Sequence, residues 1–443
     1  MLRFGTDGVR GVAYEDLTAE SVHALGRAAA RVLGTDRHFL VARDTRESGP
    51  MIEDALEAGL AAEGGAVEAI GVLPTPGLAY LSQVRRLPAA MISASHNPFR
   101  DNGIKFFAAG GRKLPDAVER RIEAELAVLP AAPPAIARGR IDPAPGAREE
   151  YLDHLVGALE GRRLDGLSVV VDCAHGAACV TGPDVLRQVG AEVEVMCAEP
   201  DGVNINEGCG STHPEAVREA VLRSGAQVGL AYDGDADRVL AVDETGALVD
   251  GDHILAIAAL DLQERGRLPG DAVVTTVMAN LGFRLAMEAR GIKVVETKVG
   301  DRYVLEAMDE GGFALGGEQS GHVIFADLAT TGDGVLTGLV LLDVMARTGA
   351  RLSELAAVVT KLPQVLHNVR VADREGLGGA EAFWDEVREV EEALGAEGRV
   401  LVRPSGTEPV VRVMVEASTE AEAEQAAARL ADRLAATLGP ATS

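Results

Sequence analysis

Short continuous apolar runs alternate with segments of helical period through most of the chain. Leu17-Thr18-Ala19-Glu20-Ser21-Val22 opens a helix, with Thr18 as N-cap, Leu17 and Val22 as a hydrophobic staple, and Gly34 as its close. A strand at Phe39–Ala42 follows, and Ser48-Gly49-Pro50 starts a second helix that Gly64-Gly65 ends. Strands at Val67–Val72, Ala89–Ser93 and Ile104–Ala108 continue the alternation. This β-α-β-α order predicts a largely parallel sheet with helices on its faces. Pro130, Pro133, Pro134, Pro143 and Pro145 then crowd one stretch, which reads as an irregular connection between domains.

A second α/β unit runs from about Leu164 to Asp250, with strands at Leu167–Val171, Val193–Met196 and Val228–Tyr232. A third starts at the helix Gly251–Leu262 and carries strands at Ala272–Thr276, Lys293–Glu296 and His322–Phe325. From Leu366 the rhythm changes: strand Asn368–Val371, helix Glu381–Leu394, strands Arg399–Val402 and Val410–Val415, and a helix ending near Leu438. The expectation is α/β, with three similar domains (1–150, 151–250, 251–365) of mixed, largely parallel sheets and a smaller α+β domain (366–443). No fixed-period repeat is visible, which excludes a solenoid.

Composition narrows the function. The 443 residues are 47% hydrophobic and 25% charged, a globular mixture, and 68 acids against 42 bases give a formal charge of −26. That balance opposes nucleic-acid and anionic-membrane partners, which need a basic face. No run reaches the roughly 18 apolar residues of a membrane span. The opening Met1–Gly11 has no apolar signal-peptide core, and four cysteines are too sparse for a disulfide framework, so a reducing cytoplasm is the expected home. Cys173, His175 and Cys179 read as packed thiols and a turn rather than a zinc site.

Four polar loops stand out in this apolar frame. Ile92-Ser93-Ala94-Ser95-His96-Asn97-Pro98 ends an apolar strand, where α/β sheets bind ligands; Ser95 reads as a nucleophile or as part of a plain turn. Asp233-Gly234-Asp235-Ala236-Asp237-Arg238 puts three carboxylates on one side of an extended loop, an all-oxygen set suited to Mg²⁺. An EF-hand is excluded, because Arg238 holds the position that needs glycine. Gly316–His322 brackets polar side chains with glycines, as hydroxyl recognition requires. Arg403-Pro404-Ser405-Gly406-Thr407-Glu408-Pro409, with Arg412 beyond, offers hydroxyls, backbone N–H groups and guanidiniums to an anion. No P-loop pattern occurs.

Together with Phe4–Gly11 and Asp101-Asn102-Gly103-Ile104-Lys105, these motifs resemble, in order and over nearly the whole chain, the α-D-phosphohexomutase superfamily. Gln319 and Ser93 resemble the glucosamine branch of that family. The resemblance implies four domains around a central cleft and Ser95 carried as phosphoserine. It implies Mg²⁺ held by Ser95, Asp233, Asp235 and Asp237, with charge support from Arg238 and His96. Arg10, Lys105 and His322 would assist transfer, Lys105 needing a depressed pKa to act as a base. Glu318 and Ser320 would bind the sugar, while Arg403, Ser405, Gly406, Thr407 and Arg412 would hold the non-reacting phosphate. The implied reaction interconverts glucosamine 6-phosphate and glucosamine 1-phosphate through a 1,6-bisphosphate. Glucose and mannose phosphates, a metal-dependent sugar phosphatase and a silent phosphosugar sensor are the competing readings, and a homodimer stays open.

Overall fold

The computed structural model describes residues 2–5, 7–34, 38–129, 139–404 and 410–439. The chain divides into two compact units, one of residues 1–278 and 292–358, the other of residues 279–291 and 359–443.

The larger unit holds three sheets. The first contains β1 (Phe4–Gly5), β2 (Gly8–Val12), β3 (His38–Arg43), β4 (Ala66–Val72), β5 (Ala89–Ile92), β6 (Asp101–Ala108), β7 (Arg112–Lys113) and β8 (Ile141–Pro143). The second contains β9 (Ser168–Asp172), β10 (Glu192–Met196), β11 (Val228–Tyr232), β12 (Val239–Asp243) and β13 (Leu248–Val249). The third contains β14 (Ala272–Thr276), β15 (Lys293–Thr297), β16 (Leu315–Gly317) and β17 (Val323–Phe325).

One arrangement recurs in all three. The orders β4-β3-β5-β6, β10-β9-β11-β12 and β15-β14-β16-β17 each join three parallel strands to a fourth that is antiparallel. The repeat that no fixed sequence period reveals is thus present in topology, hidden by connections of unequal length. The parallel strands are buried on both faces and read as continuous apolar runs, such as Val169, Val170 and Val171. The loop joining third to fourth strand falls at the same corner of each sheet. Those three loops are 93–100, 233–238 and 318–322, the serine, aspartate and glycine-bracketed motifs.

Local signals hold where they are self-contained. Thr18 caps helix Ala19–Leu33, its hydroxyl accepting from the Ser21 N–H at 3.2 Å while the Ser21 hydroxyl accepts from the Thr18 N–H at 3.0 Å. The proline-rich stretch is less irregular than expected, since Ile141–Pro143 pairs in parallel with β4. It forms the edge of the sheet, where a proline's missing N–H costs no ladder bond.

The smaller unit carries the antiparallel sheet of β18 (Gln364–Arg370), β19 (Arg399–Pro404) and β20 (Val410–Glu416), in the order β18-β20-β19. Phe383, Val413, Leu430 and Leu434 lie at the centre of its core.

In the first block Glu63 is buried, its two oxygens accepting from Arg27 Nε at 2.8 Å and Arg31 Nε at 2.9 Å. Glu63→Gln removes the carboxylate these two cations share, and we expect it to cost about 3 kcal/mol. Urea unfolding with an unchanged m-value checks this, and a loss below ~1 kcal/mol would place the pair among weak surface bridges.

Candidate functional site

Ser95 follows β5 in the left-handed region (φ 53°), and its side chain is buried. Its hydroxyl donates to Asp233 Oδ2 at 2.6 Å and lies 3.3 Å from His96 Nδ1. The Ser95 N–H donates to the Ser93 hydroxyl at 2.9 Å, and that hydroxyl donates to Asp44 Oδ2 at 2.7 Å.

A guanidinium holds the rest of the loop. Arg46, buried and paired with Asp44 at 2.9 Å, donates to the carbonyls of Ser95 (2.8 Å), Asn97 (2.9 Å), Pro98 (2.5 Å) and Asp101 (2.9 Å). The Asn206 amide adds bonds to the Ser95 and Asn97 carbonyls at 3.0 and 3.1 Å. These contacts fix a strained serine that its own sequence would not hold.

The aspartate loop arrives opposite. A ligand oxygen from each of Asp233, Asp235 and Asp237 lies within 4.8 Å of the others, and all three residues are buried. Close approach explains the intervening glycine, because a Cβ on Gly234 would sit 2.5 Å from the Ser95 carbonyl oxygen. Asp235 Oδ2 accepts from Thr75 Oγ1 at 2.7 Å and Lys105 Nζ at 2.9 Å. Asp235 Oδ1 and Asp237 Oδ1 are buried and make no hydrogen bond. Burial and the charges of Asp237 and Asp235 push Asp233 well above the usual carboxylate range. Burial pushes Asp237 the same way, but Lys105 and His322 outweigh it and hold that carboxyl low. An oxygen-only set with unsatisfied buried acceptors and a strained charge balance fits a hard divalent cation.

The cations around it come from several strands. Lys105, on β6, is buried, with Nζ 3.1 Å from Asp7 and 3.8 Å from Asp237. Although burial pulls its pKa down, Asp235, Asp7 and Asp237 hold it above the ordinary lysine value. The depressed pKa expected of a lysine base is therefore not found: three carboxylates set the sign. Arg10 donates to Asp7 Oδ2 at 2.5 Å, and Lys113 binds the other Asp7 oxygen.

Arg238 lies with Nη1 3.3 Å from His96 Nδ1 and Nε 3.6 Å from Asp237. Burial, with Arg238 and Arg10 beside it, lowers His96 to about 4. The ring is therefore neutral at neutral pH, so of the two residues expected to lend charge only Arg238 does.

In the glycine-bracketed loop, Glu318 accepts from the Gly300 N–H at 3.1 Å, and the Ser320 hydroxyl is 3.5 Å from Glu318 Oε2. His322 is buried, with Nδ1 3.6 Å from Asp237 and Nε2 accepting from the Gly332 N–H at 3.0 Å. Gly332 has no room for a side chain, since a Cβ would meet the imidazole at 2.5 Å. The three loops frame a cavity of about 460 Å³ bordered by Arg10, His96, Lys113, Arg238, Glu318 and His322, within the usual size range of a small-ligand site.

In the smaller unit, Arg403 and Arg412 sit directly opposite each other on β19 and β20, so their side chains leave the same face. Burial and the Arg412 charge lower the Arg403 pKa, a repulsion that an anion would relieve. Ser405, Gly406 and Thr407 lie outside the described residues.

Sequence reasoning missed Asp7, Asp44, Arg46, Thr75, Lys113 and Asn206. The Arg46 clamp grips backbone carbonyls, which leave no motif. Its one legible trace is an Asp-Thr-Arg just after β3, at the same carboxyl end of the sheet as the serine loop after β5.

A buried serine turn, a carboxylate cage and a cavity of mixed charge meet at one corner of repeated α/β sheets, the architecture of the phosphohexomutase class. Family models for phosphoglucomutase/phosphomannomutase match in order: alpha/beta/alpha domain I over residues 1–130, domain II over 149–246, domain III over 250–362 and the C-terminal domain over 366–433. The chain belongs to the phosphoglucomutase/phosphomannomutase family. It is 56% identical over 94% of both chains to the phosphoglucosamine mutase of Saccharopolyspora erythraea. Over the same shares it is 54% identical to that of Symbiobacterium thermophilum. Among solved structures, a family member from Burkholderia thailandensis superposes with TM-score 0.82 at 26% identity, covering 99% of this chain and 98% of that one. Aspergillus fumigatus N-acetylphosphoglucosamine mutase, solved with GlcNAc-6P and magnesium, shares the fold at TM-score 0.73 and 19% identity, covering 99% and 96%.

Arg46→Lys keeps a charge but loses the planar fork that grips four carbonyls. We expect turnover to fall on the order of 100-fold with KM little changed, as for a displaced reacting group. Full turnover in this variant, with an unchanged circular dichroism spectrum, would show that the clamp does not position Ser95.

Proposed function

We propose that the enzyme interconverts glucosamine 6-phosphate and glucosamine 1-phosphate through a phosphoserine at Ser95. The observation that carries the mechanism is the Ser95 hydroxyl seated 2.6 Å from Asp233, inside the cage of three carboxylates. The substrate reading is supported by relatives 53–56% identical that are named phosphoglucosamine mutase.

The phosphoryl group passes from Ser95 Oγ to the free hydroxyl of the bound sugar phosphate. The Oγ–P bond breaks and the sugar O–P bond forms, while the sugar's hydroxyl proton leaves to a nearby base. The bisphosphate then turns end for end and returns its other phosphoryl group to Ser95. Such loose transfer depends on alignment and charge more than on covalent chemistry.

Asp233, Asp235, Asp237 and a phosphoserine oxygen would hold Mg²⁺, which neutralises phosphoryl charge. Arg10, Arg238 and Lys113 bring cations to a cavity whose lining also carries Asp7, Asp237, Asp301 and Glu318, so phosphate is met by these local cations rather than by a net positive wall. Lys105, ion-paired to Asp235 at 2.9 Å and Asp7 at 3.1 Å, places its charge beside the transferring group. His322 accepts from the Gly332 N–H through Nε2 and turns Nδ1 toward Asp237 at 3.6 Å, beside the transferring group. Glu318 and Ser320 bind sugar hydroxyls shared by the two orientations. Arg403 and Arg412, with Ser405, Gly406 and Thr407, take the phosphate that is not transferring.

Among the described residues no helix is long and apolar enough to cross a membrane. All four cysteines are free thiols, which supports a reducing cytoplasm.

Active protein should carry one phosphate of about 80 Da by intact mass, absent from Ser95→Ala, which should not turn over. Full activity in Ser95→Ala would end the reading. Against glucose and mannose 6-phosphates, glucosamine 6-phosphate should give the highest kcat/KM, and a preference for either competitor would reassign the substrate. Stripping divalent ions should abolish turnover and lower Tm, both returning with Mg²⁺. Undiminished activity after chelation would remove the cation from the mechanism.

A further inference from the structure

All four cysteines of the chain, spread over residues 173–209, converge behind the aspartate loop in the second block. Cys173 and Cys209 are buried, while Cys179, Cys197 and His175 are partly exposed. One ring nitrogen of His175 and the sulfurs of Cys197 and Cys209 lie within 4.8 Å of one another. His175 Nδ1 is buried and makes no hydrogen bond. A packed core histidine would normally satisfy that nitrogen.

The backbone is bent to make this meeting. Ala174, His175 and Cys197 have φ of 53°, 49° and 50°, the left-handed region that non-glycine residues seldom occupy. The His175 N–H donates to the Cys197 carbonyl at 2.6 Å, tying the two strained turns together. Asp172 receives the Ala174 and Gly210 N–H groups, each at 2.9 Å, and so pins the loops on either side of the cluster.

We propose that His175, Cys197 and Cys209 form a second metal site, selective for a thiophilic cation of the Zn²⁺ class and separate from the carboxylate cage. Two thiolates and an imidazole are soft and borderline donors, which the oxygen-only aspartate set is not. Binding releases the two thiol protons to solvent, and the resulting unit of one dication, two thiolates and a neutral imidazole carries no net charge. Three protein donors leave the fourth position to water or an exogenous ligand. The partly exposed His175 and Cys197 give the ion a way in. Until it arrives, the hydrogen bond to Cys197 and burial keep the Cys209 thiol protonated.

The site also bears on both catalytic loops. The Ala177 N–H donates to the Gly234 carbonyl at 2.8 Å, within the aspartate loop. The Asn206 N–H donates to the Ala174 carbonyl at 2.9 Å, and the same residue's side chain holds the Ser95 carbonyl. Occupancy therefore stiffens the turn on which the two loops rest.

The test is Co²⁺ titration of the reduced full-length protein with excess Mg²⁺ occupying the carboxylate cage. One equivalent should give a near-ultraviolet sulfur-to-cobalt charge-transfer band, which carboxylates cannot produce. The band should persist in Cys179→Ser and vanish in Cys197→Ser/Cys209→Ser. In wild-type protein, whose folding is not in question, Zn²⁺ should slow alkylation of Cys197 at least about tenfold by peptide mass spectrometry. Absence of the band overturns the proposal, as does a band surviving in the double variant. Unchanged alkylation with Zn²⁺ would also overturn it.

Discussion

Three carboxylates buried within 4.8 Å of one another are the constraint around which the larger unit is organised. At an effective dielectric near 20, each pair of such charges repels by roughly 3–4 kcal/mol at that distance. The protein meets the cost with cations drawn from distant parts of the sequence. Lys105 comes from β6, Arg238 from the edge of the cage, and Asp7 ties Arg10 and Lys113 to Lys105. Two buried acceptors, on Asp235 and Asp237, are left over in a carboxylate group that could hold a divalent ion. Lys105 pairs with Asp7, Asp235 and Asp237 at once, so one electrostatic arrangement holds both the cage and the cations around it.

A repeated sheet order turns that constraint into a site. Because each block ends in an antiparallel strand, each has one tight loop at the corresponding corner, and the three loops have diverged in chemistry. One bears Ser95, one the three carboxylates, one Glu318 and His322. Backbone bonds stitch the three blocks together: the Val239 N–H donates to the Gly321 carbonyl at 3.1 Å, and the Thr75 N–H, in the first block, to the Asp235 carbonyl at 3.0 Å. Serine and cage are thus pre-positioned, which is what phosphoryl transfer asks of a protein.

Much of this was legible in the chain. Continuous apolar runs marked the parallel strands, because burial on both faces removes the polar alternation. The serine and aspartate loops were legible because polar side chains interrupt apolar strands at their carboxyl ends. What stayed hidden acts through backbone or through distance. Arg46 grips carbonyls, and Asp7 matters only once β2 lies beside β6. The neutral state of His96 comes first from burial and then from two arginines remote in sequence, neither of which its own loop reveals. The topological repeat escaped because helices and connections of different length erase any period. The short strand Ile141–Pro143 escaped because proline at a sheet edge looks like proline in a linker.

In the proposed function a cation held by Asp233, Asp235 and Asp237 touches a phosphoryl group on Ser95. Pulsed electron-nuclear resonance on the phosphorylated enzyme, with one equivalent of Mn²⁺ in place of Mg²⁺, reads that contact directly. A ³¹P hyperfine coupling of the size of direct phosphate ligation, present before substrate is added and lost in Ser95→Ala, is the predicted result. Mn²⁺ bound at full occupancy with no ³¹P coupling would contradict it.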